Sequence, residues 1–432
     1  METKAALDLL EFINESPTNY HAILSVKERL LDNGFEQLFS GESWRIEPGG
    51  KYFVTKNHSS LFAFVPGTGN IAEEGFKLIC AHSDSPTFRI KPNAEMLVEG
   101  KYLKLNTEVY GGPIMYTWFD RPLSLAGRVL LKSEKPLKPA IQFVKFDRPL
   151  LEIPHIAIHF NRAVNDQGNP LSKQKDMLPV IAIINDTFEK NNFLLKLIAQ
   201  ELDVEEDEIL DFDLTLFEYA KGTLLGLNNE FISSGRLDYL AMVHAGMTAL
   251  LDSEECSKTK VLAIFDNEEV GSGTMQGANS TLLEDVLKRM CESLGMSASE
   301  YLQLVAGSFL ISADNAHAVH PNHPEKADPV NRPYIGSGLV IKYQGSQKYT
   351  TDAVSAAKMK MYCEKANVPY QQYFNRSDIA GGSTLGNIST SHVSLSSVDV
   401  GMPQFAMHSA VETGGTADTA YAMRAFEAFY GE

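Results

Sequence analysis

Val261-Leu262-Ala263-Ile264-Phe265 runs directly into Asp266-Asn267-Glu268-Glu269-Val270-Gly271. Five consecutive apolar residues, too short a run for a helix, read as a strand buried on both faces. Two adjacent glutamates at the end of such a strand are unusual. An ionised carboxylate there costs free energy unless a partner or a metal compensates it. In open α/β sheets, ligands gather beyond the carboxyl ends of the strands. The stretch therefore points to a fold class and to a place to look within it.

Outward from this segment the pattern repeats. Helical periodicity covers 238–251, 281–294, 352–366 and 416–430, and strand patterns cover 308–313, 339–343 and 396–400. Upstream, two helices near 3–14 and 20–34 precede strands near 51–55, 61–65 and 76–81. Strands separated by helices predict an α/β fold, a mostly parallel sheet sandwiched by helices. Between 93 and 228 the texture changes. Short apolar stretches are punctuated by Gly111-Gly112-Pro113, Gly127, Pro136, Pro139, Pro149 and Pro154, which predicts a β-rich insertion. The expected domains are thus 1–92 with 229–432, interrupted by 93–228. The acidic stretch Glu205–Asp213 reads as a solvated helix and turn. Ile156, Ile158 and Phe160 alternate with His155, Ala157 and His159, which reads as a strand carrying both histidines on one face.

At 432 residues the chain exceeds the usual size of a single core. Its 38 basic and 55 acidic side chains give a net charge of −17, which disfavours nucleic acid and anionic membrane surfaces as partners. Cys80, Cys256, Cys291 and Cys363 form no C-x-x-C pair, as suits a reducing compartment. The opening residues METKAALDLLEFINESP read as an amphipathic helix rather than a signal peptide, and no run approaches the roughly 20 apolar residues of a membrane span. A cytoplasmic location is the expectation.

Polar residues at the predicted strand ends recur. Strand 76–81 leads into His82-Ser83-Asp84, strand 308–313 into Asp314, and strand 396–400 through Gly401-Met402-Pro403 towards His408. Asp238 opens a helix after Ser234-Gly235-Arg236-Leu237. Taken singly, each is more often a cap, an ion-pair member or a core histidine. Gathered at the ends of one sheet, they suit a metal centre. Zinc takes imidazole nitrogen and carboxylate oxygen, and cobalt or manganese accept similar donors. A pair of divalent ions needs a bridging carboxylate and separate ligands for each. Glu268, beside the ligand candidate Glu269, suits a general base, and Asp84 suits an orienting partner for His82.

His82-Ser83-Asp84-Ser85-Pro86, Ser234-Gly235-Arg236-Leu237-Asp238, Asp266-Asn267-Glu268-Glu269-Val270-Gly271-Ser272, Ser312 through Asn322 and Met407-His408-Ser409 together resemble the aspartyl aminopeptidase family of zinc peptidases. The resemblance spans nearly the whole chain. It implies one metal held by His82, Asp238 and Asp314 and a second by Asp238, Glu269 and His408, with Asp238 bridging and Glu268 as general base. It implies peptide substrates, and a β-rich insertion that builds a homo-oligomer, a dodecamer assembled from dimers. Lys342 would pair with an acidic substrate side chain, and the loop containing Gly382 and Ser383 would lie on the substrate side. His159 would reach into a neighbouring subunit's active site. The competing expectations are a related dinuclear deacylase and a scaffold that keeps its ligands without catalysis.

Overall fold

In the computed structural model, residues 2–70, 74–185, 192–254 and 256–432 are described. The chain divides into two units. One comprises Met1–Asp84, Gly222–Met407 and Glu412–Glu432; the other comprises Ser85–Lys221 with His408–Val411.

The first unit is built on a nine-stranded sheet. Its strand order is Glu36–Leu38, Tyr52–Lys56, Ser60–Val65, Thr259–Phe265, Phe76–His82, Phe309–Ala313, Ser396–Gly401, Leu339–Tyr343 and Tyr370–Phe374. The four strands from Thr259–Phe265 to Ser396–Gly401 run parallel, flanked by antiparallel neighbours on both sides. Every residue of Phe76–His82, Thr259–Phe265 and Phe309–Ala313 is buried. Two apolar cores explain why. Ile79, Ala81, Leu262, Ile264, Ile311 and Ala313 face one core, with Phe12, Leu240 and Phe426 from helices Glu2–Glu15, Leu237–Asp252 and Thr416–Tyr430. Leu78, Cys80, Val261, Ala263, Phe265 and Leu310 face the other, with Leu283, Leu287 and Leu304 from helices Leu282–Ser293 and Ala298–Ala306. Successive side chains alternate between these faces, so the sequence shows an unbroken apolar run.

A second sheet in this unit joins Thr223–Leu225, Phe231–Ser234, Glu412–Gly415, Pro403–Phe405 and Ala316–His317. These strands are two to four residues long, too short for a readable period.

The other unit carries a six-stranded antiparallel sheet, ordered Ala140–Lys145, Leu123–Leu131, Ile209–Glu218, Thr87–Val98, Tyr102–Tyr110 and Val180–Ile183. Phe88, Leu105, Leu125, Val129, Leu214 and Leu216 form its core, with Ile198 of helix Phe193–Leu202.

Three expectations need correction. The unit boundaries fall at Asp84 and Gly222 rather than near 92 and 229. Thr87–Val98 begins almost at once and pairs with Tyr102–Tyr110, and Thr223–Leu225 already pairs with Phe231–Ser234. Within the acidic stretch only Glu206–Glu208 is helical, and Ile209–Glu218 is a strand. Phe212, Leu214 and Leu216 turn inward there, while Asp213 meets Arg89 and Arg128. Residues 154–160 are not a strand. Ile158–Phe160 is a single 3-10 turn, Pro154 has no N–H to give a ladder, and Ile156, Ile158 and Phe160 are exposed. Among the described residues, no helix is long and apolar enough to cross a membrane.

Candidate metal centre

Parallel register brings the strand ends level. Phe265 is the lateral partner of His82, so the segment after Phe265 and the pair His82-Ser83 leave the sheet side by side, and Ser83 N–H donates to Phe265 O at 2.8 Å. Asp314 follows the adjacent strand and donates its N–H to Val400 O at 3.0 Å. Gly401, next along, has room for no side chain, since a Cβ would stand 1.9 Å from the Asp314 carbonyl oxygen. Asp238 lies in the first turn of helix Leu237–Asp252, which Arg236 enters in a left-handed conformation. Its N–H donates to Glu412 Oε2 at 3.1 Å, a contact the second sheet creates.

His82 is held by one ring edge and one ring face. Nδ1 is 3.1 Å from Asp84 O and 3.3 Å from Asp84 Oδ1, and the ring stacks on Tyr239. Nε2 therefore faces Asp314 Oδ1 at 3.8 Å, beyond hydrogen-bond reach. Two donors each about 2 Å from a tetrahedral zinc ion stand roughly 3.4 Å apart, so this spacing suits an ion between them. Asp84 also accepts the N–H of Glu268 at 3.0 Å and of Glu269 at 3.2 Å. Those glutamates sit in a single 3-10 turn bounded by left-handed Asn267 and Gly271. A carboxylate oxygen of Asp238 and one of Glu269 lie within 4.8 Å of each other. His408 itself is left-handed, φ 69°, with Nδ1 3.2 Å from Gly112 O.

The charges are out of balance. Burial pushes Glu268 up to about 7; His82 opposes this, while Asp314, Asp84 and Asp238 add to it. Burial pulls the His82 imidazole down, yet the carboxylates of Asp314, Asp84 and Glu268 overcome that and hold its pKa well above the ordinary value. Burial also works against the Asp314 carboxylate, but Lys342 and His82 hold its pKa far below the usual range. The carboxylates of Glu268, Asp314, Asp84 and Asp238 around the His82 imidazole and the Lys342 ammonium leave negative charge that a divalent cation would offset. Imidazole and carboxylate donors without thiolate suit zinc.

Lys342 differs from expectation. It is 2% exposed, and its Nζ donates to Asp314 O at 2.8 Å, Asp314 Oδ2 at 3.1 Å and Asn315 O at 3.2 Å. An ammonium has three protons. All three have protein acceptors, so a substrate carboxylate would have to displace one. Gly382 and Ser383 lie on an exposed loop, where Ser383 Oγ donates to Asn387 Oδ1 at 3.2 Å. His159 is exposed within the 3-10 turn of the other unit.

Sequence reasoning missed Asp399. Wholly buried opposite Lys342 in the ladder, it accepts the Thr350 N–H at 2.6 Å, the Thr350 hydroxyl at 2.8 Å and the Thr384 hydroxyl. It thereby ties down the chain just after Gly382-Ser383. The signal was an aspartate inside the strand Ser396–Gly401, which invited the question of what satisfies it.

With this geometry in hand, comparison with known proteins is decisive. Residues 12–430 match the family Aminopeptidase I zinc metalloprotease (M18). The chain belongs to the M18 family. It is 53% identical to the probable M18 family aminopeptidase 2 of Clostridium novyi (strain NT), over 99% of this chain and 98% of that protein. Among solved structures, a chain in the cryo-EM structure of the Ape4 and Nbr1 complex superimposes with a TM-score of 0.95 at 38% identity, covering 100% of this chain and 86% of that one. The S. cerevisiae mApe1 dodecamer gives 0.85 at 27%, covering 99% and 96%. This M18 chain is a hydrolase, a zinc metalloprotease of the aminopeptidase type.

Proposed function

We propose that the chain removes N-terminal residues from peptides at a dinuclear zinc centre. His82, Asp238 and Asp314 would hold one ion, and Asp238, Glu269 and His408 the other. The observation that carries this reading is the pairing of His82 Nε2 with Asp314 Oδ1 at 3.8 Å, with the carboxylates of Asp238 and Glu269 close to each other beside it. Bound zinc would supply Lewis acidity and lower the pKa of water in its shell. Glu268, half-buried and with its pKa raised to about 7, is suited to take the attacking water's proton and return it to the leaving amine near neutral pH. Asp84 orients His82 and fixes the backbone of Glu268, so base and ligand keep a set spacing. The test is hydrolysis of an aminoacyl chromogenic panel alongside elemental analysis. About two zinc ions per active chain are expected. Full turnover in metal-free protein would overturn the reading, and equal cleavage of N-acylated substrates would favour a deacylase.

Preference for an N-terminal Asp or Glu is the narrower part of this reading. It is supported by the family resemblance and by Lys342 as the cation in contact with Asp314. The three protein acceptors of Lys342 favour the alternative, a structural lysine and a broader preference. Assembly into a dodecamer of dimers is supported by the mApe1 dodecamer and by exposed Ile156, Ile158 and Phe160 around His159. In that arrangement His159 would serve the active site of an adjacent subunit, a role that requires assembly.

A further inference from the structure

At the opposite ends of the strands that carry His82 and Asp314, a cavity of about 460 Å³ opens beside the strand starts at Phe76 and Phe309. Six strand steps separate Phe76 from His82, about 20 Å, so this cavity is distinct from the metal centre. Its charged lining is four lysines, Lys77, Lys258, Lys358 and Lys365, against two glutamates, Glu74 and Glu432. That is a local reversal of sign in a chain of net charge −17.

Lys77 is the telling residue. It is 3% exposed, and its ammonium donates to Phe429 O and lies over the rings of Tyr362 and Phe429. Burial and the Lys258 charge lower its pKa to about 8. Among the described residues, Lys77, Lys258 and Lys358 form no ion pair within 4 Å, and the Glu432 carboxylate, bonded to Tyr362, is the one whose charge is spread over Lys365, Lys77 and Lys258. Four lysines against two glutamates leave positive charge around the buried Lys77 that a bound anion would offset. Ammonium groups are common phosphate binders, acting as point charges. Phe309 and Phe429 supply apolar wall, and the volume falls within the range of small-molecule sites.

We infer that this cavity is a second ligand site, which takes a small organic phosphate: the phosphate among Lys77, Lys258 and Lys358, the apolar body against Phe309 and Phe429. Helix Ala353–Lys365 contributes Lys358 and Lys365 at seven-residue spacing, so both side chains fall on one face, towards the cavity.

Phenyl phosphate is a suitable probe, being a dianion with one ring and a weak chelator that spares the metals. Titration calorimetry of the zinc-loaded enzyme at pH 7 and low salt should give saturable binding, one per chain, tighter than inorganic phosphate. Lys358→Glu, at an exposed helix position that folding tolerates, should weaken binding about tenfold or more. Lys77→Met should weaken it as well, with peptide hydrolysis in the absence of phosphate unchanged in both variants. Absence of saturable heat would overturn the inference. So would unaltered affinity in Lys358→Glu, which would place the probe at the metal centre, or equal affinity for inorganic phosphate, which would deny the apolar wall a role.

Discussion

The carboxylate of Asp84 accepts the backbone N–H of Glu268 at 3.0 Å across a separation of 184 residues, while the same oxygen stands 3.3 Å from His82 Nδ1. One side chain therefore sets both the orientation of an imidazole and the path of the turn bearing two glutamates. In Asp84→Asn, an NH2 group must face either a backbone N–H or the ring. Zinc affinity is expected to fall about 10- to 100-fold. Competition with a zinc indicator measures this, and unchanged affinity with unchanged kcat would remove Asp84 from the positioning role.

Glu268→Gln and Glu269→Gln separate base from ligand. The first should leave zinc content near normal and lower kcat by about 100-fold or more. The second should cost zinc occupancy. Elemental analysis beside single-turnover kinetics distinguishes them, and identical behaviour in both assays would defeat the assignment.

Removing Lys342 strips Asp314 of its buried counter-charge. Lys342→Met should destabilise the metal-free protein by about 3–5 kcal/mol, and the zinc-loaded protein by less, because the ion supplies the missing charge. Calorimetric unfolding with and without metal reads the difference. A selective loss on aspartyl and glutamyl substrates, with stability intact, would instead restore Lys342 to the substrate pocket.

Acid should loosen the first unit through His244. Its Nε2 is 2.6 Å from Asp8 Oδ2, while Nδ1 has no partner among the described residues. Burial lowers the pKa of His244 below its usual 6.5, and the bond to His244 lowers that of Asp8 below 3.8. Each group binds fewer protons folded than unfolded, so stability is full above about pH 6.5 and falls as pH drops. In His244→Gln the slope between about pH 7 and 5 should flatten. Equal slopes in denaturant titrations would reject this origin.

His159→Ala should depress kcat while leaving zinc content intact, by about 3 kcal/mol in barrier if the imidazole donates to a developing oxyanion. Mixing it with Glu268→Gln under subunit exchange should recover activity. No recovery despite proven exchange would place His159 outside any active site.

Elements with both faces or one whole face buried were legible in the sequence, because burial writes its period into residue order. Phe76–His82, Thr259–Phe265 and helix Leu237–Asp252 are of this kind. Residues 154–160 carried a similar alternation without burial behind it, and the pattern misled. The short strands of the second sheet left no period at all, which hid the contact between Asp238 and Glu412. His82, Glu268, Glu269 and Asp314 were findable because each follows a readable strand. The state of Lys342 was not, since one strand residue looks the same whether it faces solvent or a buried aspartate.

Strand Phe76–His82 lies between two partners, Thr259–Phe265 and Phe309–Ala313, that follow it in the chain only after the whole of Ser85–Lys221. On the ribosome, the inserted unit can begin from adjacent hairpins such as Thr87–Val98 with Tyr102–Tyr110. Meanwhile seven residues destined for complete burial have no lateral neighbours. The centre of the first unit is thus among the earliest segments synthesised and among the last to be enclosed. Its open edge is exposed to self-association for as long as translation takes to reach Ala313.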